Sequence, residues 1–294
     1  GGARAVIESA APTLLKVRVP TGAMYAPLSV TVGGYTGYSS LPFIATFKGG
    51  ASLGSRSFAG KIDIKVGTGS SPVDVAMGDF DGDGKLDMVV SNFGTRSVSV
   101  FRNTSSGGTV ASDAFAEMID FQVGSGPRGL VLGDIDGDGK LDIVVANVND
   151  DSVSVLANAS TQGTLLFASR VSFATGRSPS GPTLGDVDND GKPDIVVANS
   201  GDGTVSLLQN KSSGGDISFS PKTDYRTGNA PQCAALGDLD GDGYVDLVVA
   251  NQLDNDIAVF RNVSTPGTIL IDSSFHTPVG SYPVNIVVCD LDGD

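Results

Sequence analysis

Gly78-Asp79-Phe80-Asp81-Gly82-Asp83-Gly84-Lys85-Leu86-Asp87, followed at once by Met88-Val89-Val90-Ser91-Asn92, is the stretch on which the fold turns. It returns as Gly133 to Asn147, Gly185 to Asn199 and Gly237 to Asn251, and a fifth copy begins at Asp290. The first Asp of each copy falls at 79, 134, 186, 238 and 290, so the spacings are 55, 52, 52 and 52 residues, with the extra residues confined to the first repeat. A glycine stands ten residues before the later loops (Gly124, Gly176, Gly228, Gly280), and a proline follows three residues after it (Pro127, Pro179, Pro231, Pro283). Features that keep one register at a fixed period define one structural unit of about 52 residues.

Each unit reads as four short strands. An apolar strand, as in Pro72 to Met77 or Gly129 to Leu132, runs straight into the Asp loop, which must then connect two strands. The next strand (Leu86 to Val90, Leu141 to Ala146, Ile195 to Ala198, Val245 to Ala250) is almost continuously apolar, the pattern of a strand buried on both faces, and an Asn closes it. A third strand alternates, as in Ser97 to Phe101 and Ser152 to Leu156. A fourth is marked by aromatics spaced by six: Phe115 and Phe121, Phe167 and Phe173, Phe219 and Tyr225. The fold class expected is all-β, a β-propeller of four-stranded blades, with about four and a half blades present. A parallel β-helix would need rungs shorter than this period.

The chemistry sits in D-x-D-x-D-G-x-x-D. Carboxylates at positions 1, 3 and 5 of a tight loop converge, the glycine at 6 allows the sharp turn, a carbonyl at 7 faces inward, and the Asp at 9 closes the shell. The ligand set expected is Asp79, Asp81, Asp83, Lys85 and Asp87, then Asp134, Asp136, Asp138, Lys140 and Asp142, then Asp186, Asp188, Asp190, Lys192 and Asp194. Asp238, Asp240, Asp242, Tyr244 and Asp246 form the fourth set, and Asp290, Asp292 and Asp294 begin a fifth. Lys85, Lys140, Lys192 and Tyr244 would contribute only backbone carbonyls. Hard oxygen donors at this density suit Ca²⁺, about one per repeat, because Mg²⁺ demands a stricter octahedron and zinc wants His or Cys. The loop begins like an EF-hand but has Val90, Val145, Val197 and Val249 at position 12, where an EF-hand carries Glu, and no helices flank it.

Composition agrees. Of 33 acidic residues only Glu8 and Glu117 are glutamates, so the net charge of −14 is nearly all Asp, the short-armed turn former and metal ligand. A chain this acidic lacks the basic face that nucleic acid requires, and no apolar run is long enough for a membrane-spanning helix. The single histidine, His276, supports no triad, and the clustered aspartates are committed to the loops, so the chain is expected not to be an enzyme. Cys233 and Cys289 fall on expected strands; a bridge is open to them, buried free thiols are the expectation, and two cysteines do not fix the redox compartment. Asn103, Asn158, Asn210 and Asn262 each open an Asn-x-Ser triplet at one position of the repeat, read as turn residues rather than glycan acceptors.

The pattern V-G-x-x-P, G-D-x-D-G-D-G-K-x-D-I-V-V-A-N and V-S-V-L-x-N resembles the FG-GAP/VCBS repeat family, the repeat type of integrin α-subunit propellers, over residues 51–294. The resemblance implies a ring of about seven blades, each with a calcium loop between its first two strands, on a secreted or cell-surface protein that binds or adheres. The partner implied is an extracellular protein or glycan, and the alternative is the accessory or catalytic propeller of a secreted carbohydrate-active enzyme. Residues 1–48 contain no Asp, and V-R-V-P-T-G-A with P-L-S-V-T-V-G-G resembles the C-terminal half of an IPT/TIG immunoglobulin-like sandwich.

Overall fold

The computed structural model describes residues 62–106 and 113–289, together with the backbone of four strands nearer the N-terminus. Those four make two antiparallel hairpins, β1 (Val6–Ala11) with β2 (Leu14–Arg18) and β3 (Ala26–Val32) with β4 (Tyr35–Phe43). The strands expected around Leu14 and Leu28 lie in them. The rest of the segment expected as a sandwich, and the fifth loop with Asp290, Asp292 and Asp294, lie outside the described residues.

Residues 65–289 form one compact unit of four sheets, each a four-stranded antiparallel meander with its strands in sequence order. The first holds β5 (Pro72–Gly78), β6 (Asp87–Asn92), β7 (Ser97–Phe101) and β8 (Ile119–Gln122). The second holds β9 (Pro127–Gly133), β10 (Asp142–Asn147), β11 (Ser152–Leu156) and β12 (Val171–Ala174). The third holds β13 (Pro179–Gly185), β14 (Asp194–Asn199), β15 (Thr204–Leu208) and β16 (Thr223–Arg226). The fourth holds β17 (Pro231–Gly237), β18 (Asp246–Asn251), β19 (Asp256–Asn262) and β20 (Ile271–Pro278). These are propeller blades. Among the described residues there is no helix, and so none long and apolar enough to cross a membrane.

The cores lie between blades rather than within them, because a single sheet has two faces and nothing inside it to bury. Side chains alternate along β10, so Ile143 and Val145 pack on the first blade with Val89, Val98 and Val100, while Val144 and Ala146 pack on the third with Ile195 and Val197. This is why the second strand of each unit is apolar throughout, and β10, β14 and β18 are buried along their whole length. The aromatics spaced by six join neighbours: Phe121 of the first blade meets Phe167 of the second edge-on at 5.1 Å, and Phe173 meets Phe219 of the third at 4.9 Å.

First strands of successive blades also approach closely. A Cβ on Gly129 would sit 2.8 Å from the backbone nitrogen of Gly181 in the next blade, where no side chain can move aside. Gly129→Ala is therefore expected to destabilise by about 2 kcal/mol through separation of β9 and β13, read by urea denaturation. A cost no larger than that of an Ala substitution at exposed Gly280, which has open space around it and no left-handed backbone, would refute this.

The Asn-x-Ser asparagines are structural, as read from the sequence. Asn158 is buried, its Oδ1 accepts the Ser160 N–H, and its Nδ2 donates to the carbonyls of Leu141 in its own blade and Phe80 in the preceding one. Asn210 and Asn262 repeat the pattern toward Ile135 and Val187. Both cysteines are free, as expected. Their burial was overestimated, since Cys233 is half-buried and Cys289 exposed, beyond the last covered sheet.

Candidate metal centre

Each Asp loop joins the first and second strands of its blade and sits at the seam with the next. Position 2 anchors it there: Phe80, Ile135 and Val187 are buried among residues of the following blade, whereas Leu239 of the fourth loop stays 49% exposed. The Asp at position 9 ties the loop to its own third strand. Asp87 accepts the N–H of Phe80 at 3.0 Å on one oxygen and that of Asn103 at 2.7 Å on the other. Asp142, Asp194 and Asp246 bind Ile135 and Asn158, Val187 and Asn210, and Leu239 and Asn262 in the same way. The Asp at position 1 organises the turn: Asp79 accepts the N–H groups of Gly82, Asp83 and Gly84, the last with its φ at +86°.

In every loop the carboxylates of positions 1, 3 and 9 converge. Asp79, Asp81 and Asp87 bring one oxygen each within 4.8 Å of the others, as do Asp134, Asp136 and Asp142, Asp186, Asp188 and Asp194, and Asp238, Asp240 and Asp246. The position 5 carboxylates Asp83, Asp138, Asp190 and Asp242 do not belong to these groups. Each instead accepts the N–H of the residue at position 7, namely Lys85, Lys140, Lys192 and Tyr244, at 2.9 to 3.0 Å. The converging groups are aspartates alone, and the position 7 residues meet the loop through their amides.

Three carboxylates at such separations repel, and burial raises the cost further. Burial, opposed by two backbone N–H bonds and reinforced by the neighbouring aspartates, pushes Asp87 and Asp142 up to about 6 and Asp194 up to about 7. A divalent cation would relieve that strain. The third loop carries the sharpest sign of a missing partner: Asp188 is fully buried, and its Oδ1 has no hydrogen bond while Oδ2 accepts Gln209 Nε2. An all-oxygen, all-anionic donor set with a buried unpartnered carboxylate oxygen fits calcium.

These shifts give a pH prediction with a definite sign. A carboxyl whose folded pKa lies above its unfolded value near 3.8 makes the folded state bind protons more tightly. The calcium-free chain is therefore expected to lose stability as pH rises from about 4 to 7. With calcium the sign reverses, because the ion binds only the ionised groups and acid expels it. Circular dichroism melts between about pH 5 and 7.5 should move in opposite directions with EDTA and with calcium; parallel movement would refute the assignment.

Sequence reading missed the residue at the end of the third strand, just before the Asn of each Asn-x-Ser triplet. Arg102 reaches back so that Nε lies 2.6 Å from Asp81 and Nη2 3.1 Å from Asp83, and Arg261 pairs with Asp240 and Asp242 at 2.6 and 3.4 Å. The only signal was a basic residue preceding Asn103 and Asn262 but not Asn158 or Asn210. Elsewhere, a cleft of about 380 Å³ opens where first strands meet, lined among others by Asp74, Thr183, Cys233 and Val288. Its Asp74 carboxylate accepts the Leu130 N–H, and burial raises the pKa of the Cys233 thiol.

A family model described as FG-GAP-like repeat matches residues 79–145, 134–197, 186–249 and 238–294. No curated protein matches the chain. Among solved structures, a Bacteroides fragilis protein assigned as a 6-phosphogluconolactonase is similar over 72% of this chain and 56% of its own, with 20% identity and a TM-score of 0.51. The periplasmic gluconolactonase of Pseudomonas aeruginosa (18% identity, 71% and 56% covered, TM-score 0.47) and virginiamycin B lyase of Staphylococcus aureus (12%, 73% and 58%, 0.45) are also similar. The chain thus spans a little over half the length of these structures. The likeness to the first is one of fold, and it corrects the expectation that the chain is not an enzyme. A protein assigned as an enzyme carries the same blade architecture, so regular blades with short connections do not exclude catalysis.

Proposed function

The chain belongs to the FG-GAP-like repeat family, and from that premise we propose that it is a calcium-binding propeller segment of a secreted or cell-surface protein, presenting its blades as a ligand-binding or adhesion scaffold. The observation that carries this reading is the fourfold recurrence of converging aspartates at a blade seam, one group containing a buried oxygen without a partner. Asp79, Asp81 and Asp87 and their counterparts would hold the ion, which supplies positive charge that lets each loop keep its carboxylates ionised. Because the same loop is pinned to the next blade through position 2 and through an Asn amide, filling it would stiffen the seam.

The extracellular placement is proposed because calcium there is abundant enough to fill loops of the weaker kind. Calcium modules outside cells bind with Kd on the order of 10⁻⁴ to 10⁻³ M, saturable there and not in cytosol. The partner proposed is an extracellular protein or glycan; with no Trp in the chain, a protein is the better match, since sugar sites favour stacked aromatic rings. The N-terminal hairpins would belong to the IPT/TIG-like sandwich of residues 1–48, preceding the repeats of 51–294. Calorimetric titration of the EDTA-stripped chain with CaCl₂ tests the proposal. Saturable binding at several sites supports it, and the absence of binding heat together with an unmoved melting curve would sink it.

A further inference from the structure

The four loops are alike in their aspartates and unlike in what reaches them from the end of the third strand: Arg102 in the first blade, Ala157 in the second, Gln209 in the third and Arg261 in the fourth. We propose that this single position grades the cation affinity of the loops, so that the second and third take a divalent cation ahead of the first and fourth. The inference rests on the calcium reading above and adds an order of loading to it.

In the first loop a cation is already built in. Asp81 Oδ2 accepts Arg102 Nε at 2.6 Å and the N–H of Gly163, from the second blade, at 2.9 Å, so one oxygen of a position 3 ligand is fully engaged. The side chain of Asp81 is 0% exposed, which leaves little water to screen the guanidinium from an incoming ion. The fourth loop has the same pairing in a more open setting, with Arg261 57% and Asp240 35% exposed, so its penalty is smaller.

The second loop has a methyl group at this place. Its Asp138 pairs with Lys140 at 3.5 Å, a contact the first loop also makes through Lys85 and Asp83 at 3.7 Å. In the third loop the neutral Gln209 donates to Asp188, Lys192 turns away to the carbonyl of Ser212, and Asp188 Oδ1 is left without a partner. A divalent ion entering the first loop meets like charge and a ligand oxygen in use; entering the third it meets an unused buried oxygen.

Calorimetric titration of the EDTA-stripped full chain with CaCl₂ is expected to show two classes of site separated by about tenfold or more in Kd. Arg102→Gln, which copies the third blade, should move one site from the weak class to the tight class. Ala157→Arg, which copies the first, should move one the other way, and both variants are checked for native circular dichroism in saturating calcium. Sites of one uniform affinity, or class counts that neither substitution changes, would overturn the grading while leaving the calcium reading intact. No calcium binding at any loop would overturn both.

Discussion

Stripping the chain of calcium at neutral pH is expected to lower its thermal unfolding midpoint by about 20 °C or more relative to the same chain at a hundredfold excess over Kd. A ligand that binds only the folded state adds about 2.7 kcal/mol per site at that excess, so four loops together supply about 11 kcal/mol. For a unit of this size each kcal/mol moves the midpoint by roughly 2–4 °C. The effect is large because the loops are not surface ornaments. The first three are fastened to two blades, and without the ion their converging carboxylates must stay partly protonated or repel, as the elevated Asp87, Asp142 and Asp194 indicate. The measurement is a pair of calorimetric scans, with EDTA and with CaCl₂. A shift under about 3 °C would mean that the loops hold their shape on hydrogen bonds alone.

Asp194→Ala is expected to destabilise the calcium-free chain by about 4 kcal/mol, far more than Asp190→Ala four residues earlier, at under about 1 kcal/mol. Asp194 is fully buried, and its two oxygens satisfy the N–H groups of Val187 at 3.0 Å and Asn210 at 2.8 Å. Truncation orphans both donors at about 1–3 kcal/mol each. It also unfastens Asn210, whose side chain holds the carbonyl of Ile135 in the preceding blade. Asp190 is exposed and makes a local bond to the Lys192 amide. Urea denaturation in EDTA separates this structural role from metal binding. Equal costs for the two substitutions would show that the Asp194 hydrogen bonds contribute no more to the fold than a local turn contact.

Most of the architecture was legible because repetition is a redundant code. The third strands Ser97–Phe101 and Ser152–Leu156 appear where alternation placed them, and the second strands coincide within a residue or two of the apolar runs. The convergence of the aspartates at positions 1, 3 and 9 was legible from spacing. The place of position 5 was not, since carboxylates one loop residue apart look equivalent in sequence, and only the turn decides that Asp83 faces the Lys85 amide instead of Asp79 and Asp81. The charges at Arg102 and Arg261 were invisible for a related reason: they act across about twenty residues of sequence, between a loop and a strand end that pairing brings together.

Sequence by itself determined the all-β class, the 52-residue unit and the family, because period and alternation are properties of the chain as written. Tertiary structure decided what the repeats are for one another. Stacking makes the core lie between blades, turns Phe80, Ile135 and Val187 from loop residues into anchors, and lets Asn158 bind the loop of the blade before it. Those contacts depend on how one repeat faces the next, and a pattern that is the same in every copy does not encode that placement locally.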